Sequence, residues 1–70
     1  MNKVELMLRG YVMTLEDEDV RVKLSKSTFG LNELYGVGFK ASYIEEENKI
    51  AVYKMENDVW EMVGSTKLVG

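Results

Sequence analysis

The stretch "VGFKASYIEEENKIAVYKM", residues 37–55, constrains the fold more than any other part of the chain. Phe39, Ala41 and Tyr43 alternate with Lys40 and Ser42, and further on Ile50 and Val52 alternate with Ala51, Tyr53 and Met55. This is period two in strand-forming residue types. Two such runs around "EEEN" predict an antiparallel hairpin, with a turn through Glu46-Glu47, Asn48 in the left-handed region and Glu45 facing Lys49 across the strands. After Met55, "END" is a second turn signal, and "VWEMV" places Trp60 and Met62 on one face and Val59, Glu61 and Val63 on the other. The meander then continues past Gly64-Ser65, where a bulge would let "TKLV" extend the strand.

The first third fits two templates. In "VELMLRGYVMTL", residues Val4, Met7, Leu8, Tyr11, Val12 and Leu15 recur at helical spacing, with Glu5 and Arg9 four apart. Gly10 and the Tyr11-Val12 pair disfavour a helix, and the sequel "VRVKL" alternates strictly through Val20, Val22 and Leu24. The expectation is a long first strand, bent at Gly10, that turns back through "EDED" into a second strand. Between these and the hairpin lies "SKSTFGLNELYGVG", where Ser27 or Thr28 suits an N-cap, Leu31, Leu34 and Tyr35 share a face, and Gly36 suits a helix end. A short helical turn near 28–35 is expected there.

The resulting fold class is mainly β, or α+β with a minor helix: a small antiparallel sheet or partly open barrel of about five strands. At 70 residues the chain makes a single small domain, 1–70. Without cysteine no disulfide can reinforce it, so packing or self-association must. The first residues lack a signal-peptide layout and no apolar run reaches membrane-spanning length, so a cytoplasmic protein without membrane contact is expected.

Composition also narrows the chemistry. With neither histidine nor cysteine, the usual general base, metal ligand and thiol nucleophile are missing. The serines and threonines have nothing to activate them. "GVGF" has its glycines in the wrong order for a phosphate cradle, which follows a strand and opens a helix. An EF-hand register from Asp17 fails, because it puts Arg21 at a ligand position and Val22 where glycine is needed. No enzyme activity, cofactor or metal is expected.

The formal charge is −3, and seven of the 12 acidic residues lie in two runs, Glu16-Asp17-Glu18-Asp19 and Glu45-Glu46-Glu47. If the first segment is a strand, the topology brings both runs to one end of the sheet. If it is a helix, their relation is undetermined. A pole of seven carboxylates costs self-repulsion, which motivates a functional reading. Carboxylates on rigid loops can imitate nucleic-acid phosphates and occupy a Lys/Arg groove.

In size, acidity and lack of catalytic residues the chain is similar to small acidic phage-type inhibitors of nucleases and other nucleic-acid enzymes. That analogy implies a nucleic-acid-mimicking inhibitor whose partner is a protein with a basic surface, with no direct nucleic-acid binding. The bland reading is that both runs are solvated turns. The alternative function is a structural or self-assembling protein whose aromatic and methionine-rich sheet face, Tyr43, Tyr53, Trp60 and Met62, forms a homodimer interface. Stacking of single-stranded bases on Phe39, Tyr43, Tyr53 and Trp60 is the weaker use, because basic residues beside them are few and core packing explains them.

Overall fold

In a computed structural model, which describes residues 2–69, two helices precede a five-stranded antiparallel meander and pack on one of its faces. Helix α1 spans Lys3–Val12 and α2 spans Glu18–Ser25; the strands are β1 Thr28–Gly30, β2 Glu33–Gly36, β3 Phe39–Ile44, β4 Lys49–Glu56 and β5 Val59–Lys67. The spatial order is β1-β2-β3-β4-β5, so the sheet is open, with β1 and β5 as its two edges. The expected five-stranded antiparallel sheet is present, but its strands are not all drawn from the expected residues.

The first segment is a helix, not a bent strand. Asn2 caps it by accepting a hydrogen bond from the Val4 backbone N–H at 2.7 Å, and Arg9 pairs with Glu5 one turn away at 2.9 Å. Leu8 and Val12 are fully buried, with Val4, Met7, Tyr11 and Leu15 packed around them. Gly10, the residue that argued against a helix, sits on the solvent side with nothing within 4 Å of where a Cβ would be. There it costs helix propensity and nothing in packing.

"VRVKL" is also helical. Val20 and Leu24 are four apart, so both face the core from either a strand or a helix; Val22 decides between them, and it is 45% exposed. The helix prevails because Asp17 caps it, accepting from the Asp19 and Val20 N–H groups at 3.0 and 3.3 Å, and because Glu18 and Asp19 follow in the first turn, where the helix dipole favours acids. Arg21 closes the loop by donating to the Leu15 carbonyl at 2.6 Å, and Arg9 reaches the Ser27 carbonyl at 3.2 Å, tying α1 to the end of α2.

The helical turn expected near 28–35 is instead the β1–β2 hairpin. Phe29 pairs with Leu34, and Leu31 and Asn32 turn the chain with φ of 51° and 62°. Positive φ at both central residues is the two-residue hairpin geometry whose twist matches that of the strands. Leu31, expected on an apolar helix face, is 92% exposed at the tip.

The β3–β4 hairpin forms as its alternation indicates. Glu45–Glu47 make a single 3₁₀ turn and Asn48 takes the left-handed conformation at φ 48°. Lys49 faces Ile44 rather than Glu45, and its ion pair is with Glu47 at 3.5 Å. Asn48 also anchors the far end of the chain. Its side chain donates to the Leu68 carbonyl at 3.1 Å and accepts from the Tyr43 hydroxyl at 2.9 Å, and its carbonyl accepts from the Leu68 N–H at 2.8 Å. The β4–β5 pairing skips Val63, the bulge that allows β5 to run on through Lys67.

Leu34, Ala41, Ile50 and Val52 line the helix-covered face of the sheet and meet Leu8, Val12, Val20 and Leu24. No helix among the described residues is long and apolar enough to cross a membrane.

Candidate binding surface

The acidic runs do not share a pole. Leu15, Glu16 and Asp17 line a hollow of about 400 Å³ with Tyr11, Val63 and Gly64, beyond the C-terminal end of α1. The turn that carries Glu45, Glu46 and Glu47 ends at Asn48, which shares a separate hollow with Lys3 and Val4 at the N-terminal end of α1. Ten helical residues, about 15 Å of rise, therefore separate the two ends. The strand assigned to the first segment had brought them together; as a helix it holds them apart. All four acids of the run are exposed, but Asp17 is committed to capping α2, which leaves Glu16, Glu18 and Asp19 as its uncommitted members. Among the described residues no group of three or more potential ligands is placed to hold a metal ion.

The alternative set also divides. Tyr43 packs against the core beneath α1, with its hydroxyl on Asn48, so it belongs to the covered face. Tyr53, Trp60 and Met62 lie together on the other face, which no helix covers.

Cross-strand register arranges that helix-free face in four rungs. The first is Ile44, Lys49 and Lys67; the second is Glu33, Ser42, Ala51 and Ser65; the third is Tyr35, Lys40, Tyr53 and Met62; the fourth is Met55 and Trp60. Successive rungs are two residues apart, so the face runs about 20 Å from the lysine rung to the tryptophan rung. Its middle is floored by small side chains. Its far end is apolar and open, with Tyr35 45%, Met55 41%, Trp60 37% and Met62 51% exposed. Beyond the helices the β4–β5 ribbon exposes its reverse side as well, through Val59 and Val63.

Lys40 sits at the centre of the aromatic end. Its Nζ lies 4.6 Å from the centroid of the Trp60 ring and 5.4 Å from that of Tyr53, within cation–π range of both. Beside it Glu33 accepts a hydrogen bond from the Ser42 hydroxyl. Partial burial pushes the Glu33 carboxyl up, but the hydroxyls of Ser42 and Tyr35, together with the Lys40 charge, outweigh this and hold it below its ordinary value. Tyr35, bonded to that carboxylate, is raised above its own.

Charge is thus segregated by face. The helix-free face carries Lys40, Lys49 and Lys67 against the single carboxylate Glu33, in a chain whose total charge is −3. The sequence reading grouped Tyr53 with Trp60 and Met62 correctly. It missed Tyr35, which the expected helical turn had removed from the sheet, and it missed Lys67, which the bulge at Val63 brings opposite Lys49. No protein-family model, curated protein or solved structure matches the chain.

Proposed function

We propose that this protein is a non-enzymatic binding module whose working surface is the helix-free face of the sheet, centred on Trp60. One observation carries the reading. A small domain with eight buried apolar residues clustered on its helix-covered side leaves Tyr35, Met55, Trp60 and Met62 grouped and part-exposed on the other, around a lysine. Scattered exposed apolar residues are ordinary; a contiguous group of aromatic and methionine side chains on one sheet face has the composition of an interface centre.

The absence of histidine and cysteine supports a role without covalent or acid–base chemistry. The reading as an inhibitor of a basic protein now rests on each acidic run by itself, because the two occupy opposite ends of α1.

Charged substitutions test the proposal. Met62→Glu alters the helix-free face, and Leu6→Glu alters the outward side of α1, where Leu6 is 60% exposed. Both variants should remain folded by circular dichroism. In native gel filtration of extracts from the source cells, the parent and Leu6→Glu should elute in an assembly larger than the free chain, and Met62→Glu at the size of the free chain. A parent chain that elutes alone, or a Met62→Glu variant that keeps the assembly, would overturn it.

A further inference from the structure

We propose that the occupant of the helix-free face is a single-stranded nucleic acid, its bases on Trp60 and Tyr53 and its phosphates on Lys40, Lys49 and Lys67; this rests on the reading of that face as the working surface.

The face combines two kinds of contact that such a ligand requires. Aromatic side chains on an open sheet offer stacking platforms to any base, and lysines along the same path neutralise the backbone. Trp60 and Tyr53 sit on adjacent rungs with Lys40 between them, 4.6 and 5.4 Å from their ring centroids. About 20 Å of sheet separates the tryptophan rung from the lysine rung, room for a few nucleotides in extended form.

Lys49 and Lys67 face each other directly across β4 and β5. Like charges in that position repel and destabilise a strand pair, and an anion bound between them would relieve the repulsion. Glu47 meets Lys49 at 3.5 Å, whereas neither Lys40 nor Lys67 forms an ion pair among the described residues. The net charge of −3 weighs against nucleic acid only as an average. The acids lie mainly in the α1–α2 loop and the start of α2, in the turn after β3 and around the β4–β5 tip, while this face is cationic.

A second copy of the chain fits less well. Packing two such faces together would bury Lys40 against a surface whose one carboxylate, Glu33, already accepts a hydrogen bond from Ser42. Burying a cation without a free counter-ion is costly.

The chain's only tryptophan supplies the readout. Titration of the full-length protein with an oligothymidylate at low ionic strength should quench Trp60 fluorescence saturably. The logarithm of the binding constant should fall with the logarithm of salt concentration at a slope of about −1.5 to −2, as two to three lysine–phosphate contacts on a single strand require. Lys40→Gln and Lys67→Gln should each weaken binding severalfold and flatten that slope. Lys26→Gln, at the end of α2 and off the face, should do neither.

No quenching, a salt-independent constant, or an equal loss from Lys26→Gln would overturn the assignment. So would an equal response to poly-glutamate, which would give the face to an acidic protein. If the extract assembly also persists after nuclease treatment, the binding-module reading survives and the nucleic-acid assignment alone fails.

Discussion

The ammonium of Lys40 on β3 lies 4.6 Å from the centre of the Trp60 ring on β5, across β4 on a sheet face that no helix covers. A lysine laid on an indole can cover its apolar surface with the side-chain stem while the charge stays in water. In the role proposed above, that contact would make the face apolar enough to exclude water from a partner and cationic enough to favour one that carries negative charge.

Asn48 should matter more to stability than any other turn residue. Replacement by Ala removes its side-chain bonds with Leu68 and Tyr43 and places a Cβ-bearing residue without Asn's local hydrogen bonding at φ 48°. A loss of about 2–3 kcal/mol is expected in chemical denaturation. The tail after Lys67 should also gain amide exchange, since Leu68 is held by this residue.

Asp17 separates a structural carboxylate from its neighbours. Asp17→Ala should cost about 1 kcal/mol through loss of the α2 cap, whereas Glu16→Gln, which caps nothing, should leave the unfolding midpoint nearly unchanged. Equal effects would mean that the run acts only through its summed charge.

Two substitutions should stabilise the protein. Gly10→Ala adds a methyl group into open space on α1 and should contribute about 0.5–1 kcal/mol. Leu31→Asn replaces a bulky residue held at φ 51° with one that tolerates the left-handed region, and a gain of similar size is expected. Both are read as shifts in thermal midpoint.

Glu33 gives the fold a defined pH response. Its carboxyl pKa is lower in the folded protein than the ordinary 4.5, so ionised Glu33 favours the native state. That contribution is complete above 4.5 and disappears as pH falls through the lowered native value. The stability advantage of the parent over Glu33→Gln should therefore shrink on acidification through this window and stay level above it.

The second half of the chain was legible because its alternation admits one period. Ala41, Ile50 and Val52 are buried on one side and Lys40, Tyr53 and Met55 lie on the other, as the sequence reads. The first half was not, because Val20 and Leu24 satisfy strand and helix alike, and the preference rested on Gly10, the Tyr11-Val12 pair and Val22, of which Gly10 and Val22 prove to face solvent. The Leu31-Asn32 turn escaped notice since leucine is a poor left-handed residue and looked like part of an apolar helix face. These local misreadings had one large consequence: they put the two acidic runs together. Tyr53, Trp60 and Met62 were grouped correctly because they lie where the period is unambiguous. Lys40 gained significance only from the register that sets it between two rings.

The most direct test of the account compares three methionines. Met55 and Met62 lie on the helix-free face, and Met13, 66% exposed, follows α1 on the other side of the molecule. Oxidation by dilute peroxide, followed residue by residue by mass spectrometry, should be several-fold slower at Met55 and Met62 in extract of the source cells than in buffer, with Met13 unchanged. Equal rates in extract and buffer at all three, or protection of Met13 alone, would contradict the claim that this face is where the protein meets its partner.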